Sequence, residues 1–262
     1  MKYALLNGKK ITAQPNLMAT CLCCGAEVKS YCGEINQYHW RHLNLTQCDL
    51  WYENETKWHR DWKNYFDSSY QEVVKHDSKT GEKHIADIYN PKKEVVIELQ
   101  HSPIKPNEIR AREQFYNRMI WVIDLIGVDK NLSFINDKFN LEYQLTKMRQ
   151  NPTEKIEVPD SFAISEIEKE MNALSSILRL PDKDENMDYL RALEDEYKKL
   201  CKLPNHYLML WKYRHKYWEA SSKHKFIDIG TNTLYELVAR VQFGNAYIVK
   251  AHDKNKFIVH YQ

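Results

Sequence analysis

The segment from His84 to Gln100, HIADIYNPKKEVVIELQ, constrains the fold of this chain more than any other. Two short apolar runs flank residues 90–93, NPKK, and this order predicts two antiparallel strands joined by a turn. Asp87 lies on the first strand, while Glu98 and Gln100 share one face of the second, because side chains alternate along a strand. The hairpin therefore brings two carboxylates together.

These side chains predict a metal site. Mg²⁺ and Mn²⁺ prefer carboxylate and carbonyl oxygens, and a water bound to such an ion attacks phosphodiesters effectively. The alternative is that Asp87, Glu98 and Gln100 are solvated polar residues of an edge strand. That alternative fits poorly, because Glu98 interrupts an apolar run and a carboxylate in a buried strand is costly unless it is paired or bound to metal. We therefore expect Asp87 and Glu98 to bind Mg²⁺ or Mn²⁺ at a nuclease site.

The elements predicted around the hairpin follow a specific order. The hydrophobic pattern predicts a helix, three strands, a second helix and a fourth strand. The predicted bounds are 53–66 for the first helix, 71–76, 85–89 and 94–100 for the strands, 106–118 for the second helix and 119–125 for the last strand. This α/β (α+β) order, with Asp87 on the second strand and Glu98 on the third, resembles the restriction-endonuclease-like core of the PD-(D/E)XK nuclease superfamily.

Short sequence words around this core narrow the resemblance. They are ENET at 53–56, WH at 58–59, WK at 62–63, ELQHSPI at 98–104, then Arg112, Tyr116 and IWV at 120–122. In this order they resemble the competence protein CoiA family, over roughly residues 21–125. The resemblance implies a nuclease that acts on DNA, in which Glu55 from the first helix completes the metal site and Ser102 positions a phosphate. The biological setting, whether DNA processing, recombination or phage defence, does not follow from the fold.

The sequence departs from the superfamily at Gln100, which stands where the superfamily has a lysine. A neutral amide can orient a water but cannot supply positive charge. Lys63 and His59 are candidates for that charge, because Glu55, His59 and Lys63 recur every four residues and share a face of the predicted helix. The alternative is a solvated stripe of ion pairs on that helix.

Five of the six cysteines lie between residues 21 and 48. Two of them are separated by two residues and followed by a glycine, which is the knuckle on which tetrahedral Zn²⁺ sites are built. Disulfides are the alternative, but the chain shows no signal peptide, and its Lys- and Glu-rich composition suits a reducing cytosol. The sequence therefore predicts a structural zinc site with four protein ligands. The predicted ligands are Cys21, Cys24, His42 and Cys48, with His39 and Cys32 in reserve.

The chain of 262 residues, 43% of them hydrophobic, divides into four predicted domains. They are a zinc-ribbon-like domain at 1–50, a nuclease-like domain at 51–150, a helical hairpin at 151–203 and a basic, aromatic α+β region at 204–262. The hairpin offers a surface for a protein partner or for self-association. In the last region the pattern predicts a strand from residue 226, a short helix at 234–241 and a hairpin of strands 247–250 and 257–261.

The formal net charge is only +2, so any affinity for DNA must come from local patches. Lys212, Arg214 and Lys216 are interleaved with aromatic residues, as in proteins that bind single strands. The alternative is a buried helical stripe, because apolar residues there also recur at three- and four-residue spacing. Arg112 is a second candidate, for phosphate contact or for bracing the active site. No apolar run approaches the ~18 residues of a membrane span, so we expect a cytoplasmic protein without a membrane partner.

Two functions are compatible with these patterns. The first is a Mg²⁺- or Mn²⁺-dependent DNA endonuclease whose zinc ribbon helps to grip or orient DNA. The second is a binding or adaptor protein that keeps the nuclease scaffold without cleavage and recruits partners. The positions of Lys63 and His59 distinguish the two, since either side chain at the metal site favours the nuclease, whereas both in solvent favour the adaptor.

Overall fold

A computed structural model of the chain describes residues 1–33, 37–44, 48–51, 53–128, 132–135, 203–211, 216–240 and 246–262. These residues form mostly strands with three α-helices, which confirms the predicted α+β class. None of the helices in these ranges is long and apolar enough to cross a bilayer. The chain divides into two compact units: the first comprises Met1–Asp124, Tyr217–Lys223 and Phe257–Gln262, and the second comprises Leu125–Lys216 and His224–Lys256.

An antiparallel sheet of five strands begins the first unit. The turn Asn7-Gly8 joins the first two strands with φ angles of 49° and 75°, as a two-residue hairpin turn requires. Val28 and Trp40 are buried on its inner face, and alternation places their neighbours on the outer face. The strands are β1 (Tyr3–Leu6), β2 (Lys9–Thr12), β3 (Met18–Thr20), β4 (Glu27–Tyr31) and β5 (His39–His42), in the order β2-β1-β3-β4-β5.

The predicted order of helix, three strands, helix and strand follows this sheet. The elements are α1 (Lys57–Asn64), β6 (Gln71–His76), β7 (Lys83–Asn90), β8 (Val95–Gln100), α2 (Pro106–Tyr116) and β9 (Met119–Asp124). The strands lie in the order β6-β7-β8-β9, with β8 and β9 parallel and the other pairs antiparallel. Both parallel strands are buried almost throughout, which explains their continuous apolar runs.

Local signals set the ends of these elements. The first helix begins at Lys57 rather than at residue 53, because Thr56 is its N-cap and forms a capping box with His59. The turn between β7 and β8 is held by Asn90, whose Oδ1 accepts the backbone N–H groups of Lys92 and Lys93, each at 2.9 Å. The predicted turn at 90–93 is therefore present.

The second unit contains five antiparallel strands and corrects the predicted C-terminal elements. The predicted helix at 234–241 is wrong over its described residues, because Thr233–Arg240 is a strand paired on both sides. Leu234 and Leu237 lie on opposite faces of this strand and both are buried, so their three-residue spacing mimics that of a helix. The predicted hairpin is also wrong, since the last strand continues to Asp253 and a helix follows. The strands are β10 (Leu132–Ile135), β11 (His206–Trp211), β12 (His224–Asp228), β13 (Thr233–Arg240) and β14 (Ala246–Asp253), in the order β10-β11-β14-β13-β12. The helix α3 (Lys254–Tyr261) follows β14, and from Phe257 onward it belongs to the first unit.

Several predictions concern residues that the structure does not describe. The helical hairpin at 151–203 lies outside the described residues except for its last residue, and so do Lys212 and Arg214. Lys216 begins a short 3-10 helix, Lys216–Ala220. In the same basic segment, residues 206–211 form a strand instead of the start of a helical stripe.

Candidate functional site

Three carboxylates lie side by side on neighbouring strands of the first unit. Gln71 pairs with Ile88 and Val73 with Ala86, which places Glu72 of β6 opposite Asp87 of β7. The pair Ile88–Ile97 likewise places Glu98 of β8 opposite Asp87 on its other side. We call Glu72, Asp87 and Glu98 the carboxylate row. Like charges directly opposite one another destabilise a sheet, so this row requires compensating groups.

Lys63 compensates one end of the carboxylate row. Its Nζ lies 2.9 Å from Asp87 Oδ1 and 3.1 Å from Glu72 Oε1. It also lies 3.0 Å from Oε1 of Glu55, and its side chain is only 5% exposed. Burial alone would lower the pKa of Lys63, but the three carboxylates raise it well above its ordinary value. The face of α1 that carries His59 and Lys63 therefore points into the molecule. Lys63 does not belong to a solvated stripe of ion pairs.

Glu72 connects the carboxylate row to the N-terminal sheet. Its carboxylate accepts the backbone N–H groups of Lys2, at 2.9 Å, and Tyr3, at 3.0 Å. Burial opposes ionisation, but Lys63 and these donors lower the pKa of Glu72 to about 2. Its backbone has a φ of 45°, which is uncommon for a residue other than glycine. Glu72 was absent from the sequence prediction, because it lies in an alternating strand without a recognisable motif.

Glu98 occupies the other end of the row and is nearly inaccessible to solvent. Its Oε1 accepts the backbone N–H of Asp87 at 3.3 Å, and its Oε2 accepts Nη1 of Arg112 at 3.1 Å. Burial and the charge of Asp87 raise the pKa of Glu98 to about 8, although Arg112 acts in the opposite direction. Arg112 also donates to Glu108 Oε1 and, at 2.9 Å, to the carbonyl of Trp51. It therefore braces the row, as one of its two sequence interpretations expects.

Gln100 and Glu53 carry unused acceptor atoms beside the row. Gln100 Nε2 donates to Glu53 Oε1 at 2.5 Å and to the carbonyl of Ser102 at 2.9 Å. Within the described ranges, Gln100 Oε1 and Glu53 Oε2 are buried without a hydrogen-bond partner. Each oxygen can accept a bond from a water, or from a hydrated cation. Ser102 itself contributes its backbone carbonyl to this network, at the end of β8.

His59 is engaged at both ring nitrogens. Its Nδ1 accepts the backbone N–H of Thr56 at 3.3 Å, so its Nε2 carries the proton and donates to the carbonyl of Leu99 at 3.1 Å. Burial lowers the pKa of His59. His59 therefore fixes the end of α1 against β8 and does not supply positive charge, which leaves that role to Lys63.

A partly open cavity of about 70 Å³ lies between the carboxylate row, Glu53 and α1, and Gln100 is not among the residues that line it. By the same measure a water needs about 10–15 Å³, so the cavity has room for several. Its hard oxygen donors suit Mg²⁺ or Mn²⁺ in type, and the two unused oxygens beside the row fit a hydrated ion. The row itself is neutralised by Lys63 and Arg112 instead of converging on one point. The residues that line the cavity include Glu53, Glu55, His59, Lys63, Glu72, Asp87, Glu98 and Arg112.

A second cluster lies in the N-terminal sheet and matches the predicted zinc ligands. Ligand atoms of Cys21, Cys24, His42 and Cys48 all lie within 4.8 Å of one another. Cys21 Sγ is 3.4 Å from Cys48 Sγ, and Cys24 Sγ is 3.3 Å from His42 Nε2. Bonds of about 2.0–2.3 Å to a central Zn²⁺ give separations of this size. We refer to these four residues as the Cys3His cluster, and they could hold a structural zinc ion.

The knuckle of the Cys3His cluster has the local geometry that metal ligands need. Gly25 has a φ of 72° and its N–H donates to the Cys21 carbonyl at 3.1 Å. The reserve ligand His39 instead stacks on Tyr31.

In comparisons with known proteins, no family model, no curated protein and no solved structure matches this chain. The function is therefore argued from the geometry.

Proposed function

We propose that the chain is a divalent-metal-dependent DNA nuclease, related to the CoiA family and built on a PD-(D/E)XK core. The observation that carries this proposal is the position of Lys63, whose Nζ lies 2.9 Å from Asp87 Oδ1 in a cavity that Glu98 also lines. The positive charge that Gln100 cannot supply then comes from α1 instead of β8. The order of strands and helices around the cavity supports the same proposal.

Asp87 and Glu98 are the residues that would hold Mg²⁺ or Mn²⁺. Glu55 lies close to Asp87, because both contact the Lys63 ammonium. Such an ion, when bound, supplies a water of lowered pKa and a Lewis acid for the phosphate. Glu98 would have to ionise to serve as a ligand, so binding of a divalent cation there would release its proton to the solvent. The Arg112 guanidinium stabilises the resulting carboxylate at 3.1 Å.

Lys63 and Gln100 have separate tasks in this mechanism. A buried ammonium near the reacting phosphate would stabilise the negative charge that develops during hydrolysis, and the Lys63 side chain is only 5% exposed. Glu53 lines the cavity, and its Oε2 has no partner and would accept a hydrogen bond from a water, while Gln100 Nε2 holds the same carboxylate through Oε1. The mechanism therefore divides the work of the superfamily lysine between a cation and an amide.

A catalytically silent scaffold that binds DNA or recruits partners is the second candidate. The observation that favours it is the neutralisation of the row, since Lys63 already contacts Glu55, Glu72 and Asp87. An incoming cation must compete with this ammonium. If the Lys63 ammonium is never displaced from these carboxylates, the site binds no divalent metal and cleaves no DNA.

Cleavage of circular DNA distinguishes the two candidates. The substrates are circular single-stranded and supercoiled double-stranded DNA, each with Mg²⁺ or Mn²⁺ and the full chain. We expect metal-dependent cutting that falls by at least about 100-fold in Asp87→Asn, because loss of a ligand forfeits several kcal/mol of transition-state stabilisation.

The matched control is Asp61→Asn, which removes an exposed carboxylate of α1 that pairs with Lys57. It should cut like the unmodified chain. Full activity in Asp87→Asn would overturn the site assignment. Absence of cutting by the unmodified chain, with Zn²⁺ bound and folding intact, would favour the silent scaffold.

A further inference from the structure

The outer face of β4 and β5 carries two cations and two aromatic rings. Lys29 lies opposite Arg41 and Tyr31 lies opposite His39, and alternation places all four on the same face. The opposite face is buried through Val28, Ser30 and Trp40, so it belongs to the core of the first sheet. We call Lys29, Tyr31, His39 and Arg41 the ribbon quartet.

The rings of the ribbon quartet are held flat against each other. The Tyr31 and His39 rings have centroids 5.6 Å apart and planes inclined by only 17°. The Arg41 guanidinium carbon lies 5.8 Å from the Tyr31 ring centroid. The His39 ring is also fixed by a hydrogen bond between its Nδ1 and the carbonyl of Gln37, at 2.9 Å. Tyr31 remains 42% exposed, so this stack is open to a further flat ligand.

The positions of the two cations in the ribbon quartet lower the stability of the sheet. Lys29 and Arg41 are exposed and directly opposite one another, and like charges in this position are destabilising. A bound anion between them removes that repulsion. Glu27 lies two residues before Lys29 on the same face of β4. Its carboxylate therefore borders the quartet at the Lys29 end.

We propose that the ribbon quartet binds single-stranded DNA, with a phosphate between Lys29 and Arg41 and a base stacked on the Tyr31–His39 pair. Two residues along a strand span about 7 Å, so a cation and a ring of the same strand can contact one nucleotide. Backbone neutralisation beside aromatic stacking is the general way in which single strands are bound. A duplex keeps its bases stacked on each other, so it cannot use the rings.

This proposal takes DNA as the ligand from the proposed function, but it concerns binding and does not require cleavage. It assigns the N-terminal sheet a task that the carboxylate row does not perform. Arg41 directly precedes His42 of the Cys3His cluster, so a zinc ion there would also order the strand that carries half of the quartet. Failure of binding and failure of cleavage can therefore be measured separately.

The test is a fluorescence-anisotropy titration of the zinc-loaded full chain with a labelled oligothymidine, without Mg²⁺ or Mn²⁺, over a series of salt concentrations. We expect Lys29→Ala combined with Arg41→Ala to reduce the slope of log K against log salt by about 1.4, at about 0.7 per cation for a single strand. We expect Tyr31→Leu to weaken binding by on the order of 10- to 100-fold, and Tyr31→Phe to retain binding, because only the former removes the ring.

The matched controls are Lys92→Ala, which removes an exposed lysine from the turn after β7, and Glu27→Gln, which removes the bordering negative charge. The first should change binding little and the second should strengthen it. The proposal is overturned if the chain binds no oligothymidine or if a duplex of equal length binds as tightly. It is also overturned if Lys92→Ala costs as much as the quartet variants, or if Tyr31→Leu binds like the unmodified chain. Zinc content and circular dichroism establish that each variant is folded.

Discussion

Lys63 decides how this cavity can work, because one ammonium compensates three carboxylates from different elements. Glu55 precedes α1, Glu72 lies on β6 and Asp87 lies on β7. A buried ammonium depends on its carboxylate partners, and Glu72 and Asp87 lose their shared cation if Lys63 is removed. Stability and activity are therefore linked at this residue.

We expect Lys63→Met to lower the free energy of unfolding by about 3–5 kcal/mol, since it removes the cation that Glu72 and Asp87 share. Any metal-dependent cleavage should fall by about 10²–10³-fold, as happens when a single stabilising donor is removed from a transition state. Urea unfolding measures the first effect and single-turnover cleavage the second. Lys57→Met, which removes an exposed lysine of the same helix, should change neither. Unchanged stability in Lys63→Met would contradict the contacts of the ammonium.

Glu98 gives the folded chain a specific dependence on pH. Its pKa is raised to about 8 by burial and by Asp87, so the folded state binds its proton more tightly than the unfolded state does. This contribution to stability is complete below the ordinary pKa near 4.5 and is lost as pH rises through about 8.

We expect the unmodified chain to lose stability relative to Glu98→Gln between pH 5 and pH 9, by on the order of a few kcal/mol. The amide resembles the protonated acid and does not titrate. Urea unfolding at several pH values, with zinc present and no Mg²⁺ or Mn²⁺, measures the difference. Parallel stability curves for the two chains would show that the Glu98 carboxyl titrates normally.

At the scale of elements, the short segment Cys48–Trp51 connects the Cys3His cluster to the carboxylate row. The Asp49 carboxylate accepts the backbone N–H of Ile85 at 2.8 Å and contacts the His84 ring at 2.7 Å. The Trp51 ring stacks on His84 with centroids 3.3 Å apart, and its carbonyl accepts Nη2 of Arg112 at 2.9 Å. Cys48 of the Cys3His cluster is thus three residues from Trp51, whose carbonyl holds the arginine that contacts Glu98.

We expect Cys48→Ser to lower bound zinc and thermal stability together, because metal binding contributes directly to the folding of small zinc sites. Metal analysis and thermal unfolding measure the two quantities on the same preparation. Cys32→Ser is the matched control, since Cys32 is half-buried and lies outside the cluster. Equal zinc content in Cys48→Ser and the unmodified chain would remove Cys48 from the ligand set.

The sequence predicted the elements whose signals are local. Residues 90–93 and the apolar runs beside them predicted the hairpin. The cysteine spacing predicted Cys21 and Cys24 of the Cys3His cluster, while the other two residues were predicted with His39 and Cys32 in reserve. Strand β13 was predicted as a helix, because it buries Leu234 and Leu237 on opposite faces, at a spacing that also suits a helix. Glu72 was missed because its role depends on a lysine and on two N–H groups from the first sheet. Such long-range contacts leave no periodic trace in a single sequence.

At the scale of the whole molecule, segments far apart in sequence complete the first unit. Trp218 packs on Trp121 with ring centroids 5.2 Å apart, and Asn90 Nδ2 donates to the Tyr261 carbonyl at 2.7 Å. Phe257 meets Trp62 of α1 edge to face at 6.2 Å. The helix that carries Lys63 is therefore supported by a residue near the other end of the described chain.

Phe257→Ala tests this support. Phe257 is only 7% exposed, and removal of a buried phenylalanine ring costs about 3–5 kcal/mol. We expect a loss of this size in urea unfolding followed by tryptophan fluorescence. Val259→Ala is the matched control in the same helix, because Val259 is 70% exposed and exposed substitutions usually change stability by less than about 0.5 kcal/mol. Equal effects of the two substitutions would mean that the packing of Phe257 on α1 contributes no stability, and the position of Lys63 would then depend on its carboxylate partners and on His59 alone.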